Sequence, residues 1–204
     1  MELRDALLQI GEIRDQLSRA GTFRGYRSAT VAFSGAVAVV AGVIQSIVLP
    51  DPQGRIEAYL LLWGSAAGLS LFVVACEMAI RCRSAASSFR SRTTLLAVEQ
   101  FLPCLFAGAI VTAALYATAP EGTWLLPGLW GIVFSLGVFA SWRLLPPATF
   151  WVGAFYLLAG GACLAFARAE HALSPWAMIG TFGGGQFLTA VILYRTLERH
   201  DDSA

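Results

Sequence analysis

Residues 29–49 read ATVAFSGAVAVVAGVIQSIVL, 21 positions without one charged side chain. The hydrocarbon core of a bilayer is about 30 Å thick, and a helix rising about 1.5 Å per residue crosses it with about 20 apolar residues. This stretch therefore has the length and composition of a membrane helix. Five more of the same kind follow, at 57–80, 95–118, 123–142, 148–167 and 174–195. Between most of them stand residues that stop and reverse a helix: Asp51-Pro52-Gln53-Gly54, Ala119-Pro120-Glu121-Gly122 and Leu145-Pro146-Pro147. The expected exception is 81–92, a longer loop rich in Ser and Arg. The sequence thus predicts an all-α fold, a polytopic bundle of six transmembrane helices across 28–196. A cytoplasmic segment, 1–27, precedes it and a short cytoplasmic tail, 197–204, follows.

The whole composition agrees with a lipid-covered surface: 57% of the residues are hydrophobic, 13% are charged, and the mean hydropathy is +0.66. The formal net charge of +1 leaves no basic field to collect nucleic acid, which is excluded as a direct partner. All fourteen cations are Arg, and both Lys and Asn are missing. Since AT-rich codons encode both absent residues, a GC-rich bacterial genome is expected. Cys76, Cys82, Cys104 and Cys163 lie in or beside apolar runs without C-x-x-C spacing, as free packing residues do. Acidic residues mixed with Arg precede the first apolar run and no small-residue cleavage site follows it, so that run is expected to remain as an anchor.

Arg near helix ends is retained on the cytoplasmic side. Arg4, Arg14, Arg19, Arg24, Arg27, Arg81, Arg83, Arg90, Arg92, Arg143, Arg195 and Arg199 fall on one side of the predicted bundle, against Arg55 and Arg168 on the other. The expected location is a bacterial inner, or plasma, membrane with both termini in the cytoplasm. A shift of 52 positions also aligns Trp124 with Trp176, Gly128 with Gly180, Gly131 with Gly183 and Arg143 with Arg195. Three tandem helical hairpins are one reading of this pattern; chance matching among helices rich in Ala, Gly and Leu is the other.

Ahead of the first span, Leu3, Leu7, Ile10, Ile13 and Leu17 recur at helical spacing while Arg4, Asp5, Glu12, Arg14, Asp15 and Arg19 occupy other faces. This predicts an amphipathic arm of about four turns. Gly21 is its expected stop, and Phe23, Arg24, Gly25, Tyr26 and Arg27 form an aromatic and basic collar at headgroup level. The apolar stripe is suited to membrane lipid or to a cytoplasmic protein partner.

Within the spans, ionisable residues mark functional candidates. Glu77 and Glu99 lie toward the predicted cytoplasmic ends, with Arg81 at i+4 from Glu77 and Gln100 beside Glu99. Ion pairing at the membrane edge and a proton or ion relay are both compatible with that placement. In the middle of the sixth span stands Gly183-Gly184-Gly185-Gln186. Each Gly weakens a helix interior by roughly 0.5–1 kcal/mol relative to Ala, so close approach of another helix, bonded through Gln186, or a broken helix lining a cavity is expected there.

Enzyme chemistry finds no support. His171 and His200 fall on opposite sides of the predicted membrane, and Ser135, mid-membrane in the fourth span, has no His at its depth to act as base. No G-x-S-x-G, H-E-x-x-H or phosphate-binding Gly loop is present. Asp51, Glu57, Glu121, Glu170 and His171 share the outer side but read as a solvated loop surface. No cofactor and no metal is expected.

In Phe23-Arg24-Gly25-Tyr26-Arg27, Leu96-Ala97-Val98-Glu99-Gln100-Phe101-Leu102-Pro103, Leu126-Pro127-Gly128-Leu129-Trp130 and His171-Ala172-Leu173-Ser174-Pro175-Trp176, the chain resembles a group of uncharacterised bacterial six-helix membrane proteins. The resemblance brings no known activity. It implies a membrane component paired with a small winged-helix transcriptional regulator, not an enzyme. The expected function is a non-enzymatic integral membrane protein that binds a partner or senses a membrane condition through its cytoplasmic face. The alternative is a small transporter or lipid-binding bundle with a cavity near the sixth helix.

Overall fold

The computed structural model describes residues 28–84, 88–168 and 171–198. Every regular element among them is helical. In chain order these are α1 (Ser28–Val48), α2 (Ile56–Ser84), α3 (Ser88–Thr118), a 3₁₀ turn (Pro120–Leu125) leading into α4 (Leu126–Ser141), two short 3₁₀ turns (Trp142–Leu144 and Pro147–Thr149), and α5 (Phe150–Phe166). The last span is built from α6 (Pro175–Met178), a π-helical turn (Ile179–Gly183) and α7 (Gly184–Leu193), and ends in a second π turn (Tyr194–Glu198). Six segments are long and apolar enough to cross a membrane: Ser28–Val48, Ile56–Ile80, Val98–Thr118, Pro120–Ser141, Pro147–Phe166 and Pro175–Thr196. This is a polytopic membrane bundle of six helices. The predicted arm, with Leu3, Leu7, Ile10, Ile13 and Leu17, lies outside the described residues, as does His200.

One expectation is corrected. The predicted loop 81–92 is largely helix, because α2 runs on to Ser84 and α3 already begins at Ser88. Arg propagates a helix well and Ser costs it little, so neither compels a stop once the chain has left the lipid. α3 also carries Pro103 in its interior. Pro103 has no N–H to give to the carbonyl of Glu99 four positions earlier, an omission that membrane helices tolerate.

The helices are not buried equally. Only 11% of the second span and 6% of the third are covered within the bundle, against 28% to 44% of the others. The most extensive pairings are α4 with α5 and α1 with the last span. Small residues let those backbones approach. A Cβ placed on Gly160 would lie 2.7 Å from the carbonyl oxygen of Gly128 and 2.8 Å from the amide nitrogen of Ile132, and one on Gly42 would collide with Ile179. By contrast, nothing lies within 4 Å of a Cβ built on Gly64, Gly68 or Gly108, in α2 and α3. Gly128 and Gly180, which the 52-residue shift aligns, have unlike surroundings: Gly128 is packed on Gly160 and Leu164, Gly180 is open.

Candidate functional site

The connectors after α1, α3 and α5 meet at one end of the bundle, the loop face. A groove of about 640 Å³ there is lined by Gln45, Asp51, Gln53, Ala172, Leu173 and Pro175, among others, and a neighbouring one of about 570 Å³ by Gln53, Glu121, Trp124, Arg168 and Ala172. The Arg168 guanidinium sits 6.0 Å from the Trp124 ring centroid. Asp51 Oδ1 accepts the Gly54 N–H at 3.0 Å, which closes the first loop.

Beneath the groove is a buried polar lock. Gln45, with no exposed surface, donates from Nε2 to the Leu173 carbonyl at 2.6 Å and accepts the Trp63 Nε1–H at 2.8 Å. One amide side chain thus ties α1, α2 and the loop before α6 together. Leu173 holds φ 59, a conformation that a non-glycine residue adopts only when its surroundings compensate. The compensation is visible: its side chain is fully buried against the core that includes Tyr59, Trp63 and Met178. Tyr59 stacks on Trp130, rings 8° from parallel with centroids 6.3 Å apart. The Trp130 indole donates in turn to Thr112 Oγ1 at 2.8 Å, bringing in α3. At the rim, the Tyr116 hydroxyl donates to Glu57 Oε1 at 2.8 Å.

The acids singled out by the sequence do not converge. Glu77 is half-buried and accepts a hydrogen bond from the Thr30 hydroxyl, tying α2 to the start of α1. Glu99 and Gln100 are exposed on α3. The Arg81 side chain lies outside the described residues.

At the glycine run the packing is close but uneven. A Cβ on Gly185 would collide with the Tyr156 ring, and one on Gly183 would stand 3.2 Å from Val39 Cγ2. Gly184 has only Phe155 Cζ at 3.5 Å, an ordinary contact. Gln186 is partly buried, its Cβ 3.3 Å from where a Cβ on Gly35 of α1 would stand. The Tyr156 hydroxyl is buried with the Gln186 amide beside it, yet no well-formed hydrogen bond joins them. Ser135 Oγ is also fully buried without a partner.

Sequence reasoning singled out neither Gln45, Trp63 and Leu173 nor Tyr156 and Thr30. Gln45 did carry a signal, as the one amide in an otherwise apolar run. Nothing in the chain announced that its partners would be an indole and a loop carbonyl. Among the described residues no group of three or more His, Cys, Asp or Glu gathers to hold a metal ion, and Cys76, Cys104 and Cys163 carry free thiols. No protein-family model, no curated protein and no solved structure matches this chain.

Proposed function

We propose that this protein is a non-enzymatic membrane component of a bacterial inner membrane that binds a protein partner, or senses a membrane condition, through its cytoplasmic face. Both termini lie in the cytoplasm in this reading, and the Arg asymmetry supports that orientation. The observation that carries the functional reading is the close packing at Gly183 and Gly185. Tyr156 and Val39 stand against Gly185 and Gly183, which supports a helix-packing role for these glycines. The arm, with Leu3, Leu7, Ile10, Ile13 and Leu17, supplies the docking stripe, and the resemblance to a six-helix family beside winged-helix regulators agrees with a cytoplasmic protein as its partner. Crosslinking in native membranes, followed by purification of the tagged chain, tests this: a specific cytoplasmic protein is expected in the eluate.

A second reading, a small transporter or lipid-binding bundle, is favoured by one observation. The buried Tyr156 hydroxyl, against Gly185, and the buried Ser135 hydroxyl, one helical turn from Gly131 on α4, make no well-formed hydrogen bond and could meet a ligand's polar atoms.

A further inference from the structure

The packing of α4, α5 and the last span is layered. A Cβ built on Gly131 would lie 3.1 Å from Gly160 Cα and 3.2 Å from Thr181 Cγ2, so these three residues share one level. One helical turn farther from the loop face on each helix come Ser135, Tyr156 and Gly185, and the contact of Gly185 with the Tyr156 ring confirms the register. Gln186 adjoins this layer. Near the middle of three membrane spans the bundle therefore collects two hydroxyls and an amide.

Ser135 and Tyr156 share with Tyr59, outside this layer, a buried hydroxyl that makes no well-formed hydrogen bond. Thr112, Ser141, Thr189 and Thr196 each donate to the carbonyl four residues back, the ordinary resort of a hydroxyl in a membrane helix. Ser135 does not, although Gly131 offers such a carbonyl, and Tyr156 has only the Gln186 amide beside it, without a well-formed bond. Both residues are fully buried. A hydroxyl left bare in an apolar interior is unfavourable, and the common remedy is an internal water that makes about three hydrogen bonds to such groups. The π turn at Ile179–Gly183 lies just before this layer, and turns of that kind frequently mark functional positions in helices.

We propose that Ser135, Tyr156 and Gln186 form a midplane binding site for internal water, so that the seam between α4, α5 and α7 is hydrated at this level. The site takes a small, uncharged hydrogen-bonding ligand, and water is that ligand in the resting protein. It stands independently of which functional reading holds.

X-ray radiolysis of the full chain in lipid nanodiscs and H₂¹⁸O tests this, because radicals generated at a bound water label the side chains that hold it. Tyr156 is expected to take up ¹⁸O at least about ten-fold faster than in Ser135→Ala. Labelling of Tyr156 that is absent, or that is unchanged in the variant, would overturn the site. Thermal unfolding gives a second reading with opposite signs. If the layer is hydrated, Ser135→Ala and Tyr156→Phe each lower Tm and the double variant falls by less than the sum, since one shared water is lost once. If the layer is dry, deleting an orphaned hydroxyl raises Tm, and a rise in either single variant contradicts the proposal.

Discussion

The Trp63 indole donates to Gln45 Oε1 at 2.8 Å inside a fully buried site, and the same glutamine donates to the Leu173 carbonyl at 2.6 Å. Replacing Gln45 by Leu strands both the indole N–H and the carbonyl. Each stranded buried group costs about 1–3 kcal/mol. Gln45→Leu is therefore expected to lower the detergent Tm more than Gln45→Glu, whose carboxyl in its neutral form still accepts from Trp63 and donates to the Leu173 carbonyl. Equal losses in the two variants, read by thermal unfolding, would show that the indole bond contributes nothing.

The glycines sort into two kinds. Gly160→Ala drives a methyl against the carbonyl of Gly128 and the amide of Ile132, and backbone cannot turn aside as a side chain does. Overpacking of this kind costs about 1–3 kcal/mol. Gly64→Ala meets open space, and Ala favours a helix interior over Gly by roughly 0.5–1 kcal/mol. A drop in Tm for the first and no drop for the second is the expected pair of results.

Within Gly183-Gly184-Gly185 the same geometry separates neighbours. Gly185→Ala forces the Tyr156 ring to move and is expected to destabilise by about 1–3 kcal/mol, whereas Gly184→Ala stays within ordinary contact of Phe155 and is expected to change little. Thermal unfolding of the two variants side by side checks the ranking, and a larger loss for Gly184→Ala would reverse the assigned facing of this helix.

The proposed orientation follows from twelve Arg against two. Reporter fusions after Arg92 and at Ala204 are expected to score as cytoplasmic, and fusions after Gly54 and Glu121 as exterior. A cytoplasmic signal at Gly54 would invert the bundle.

The six spans were legible because lipid imposes a length and a polarity on each helix that no packing detail can disguise. Ala29 to Leu49 shows this: the uncharged run coincides with α1 within one residue at each end. The helical stretch around Ser84 and Ser88 was not legible, since Arg and Ser next to a membrane are compatible with either loop or helix. The polar lock was hidden for a different reason. Gln45, Trp63 and Leu173 are far apart in the chain, and their meeting depends on how α1, α2 and the last loop pack, which periodicity does not encode. The glycine run could be read as a special position, but which of its members faces Tyr156 depends on the π turn that precedes it, and no residue pattern signals that turn.

In the proposed function the arm supplies the partner-binding stripe. Burying a Leu or Ile side chain is worth roughly 1.5–3 kcal/mol, so a helix carrying Leu3, Leu7, Ile10, Ile13 and Leu17 on one face, as the sequence predicts, would require a surface to cover them. The direct measurement is a crosslinking pull-down from native membranes of the wild-type chain and of the double variant Leu7→Asp with Ile10→Asp. A specific cytoplasmic protein captured by the wild type and lost from the variant, with membrane insertion intact, is the predicted result. Absence of any specific protein from the wild-type eluate, or equal capture by both chains, would contradict it.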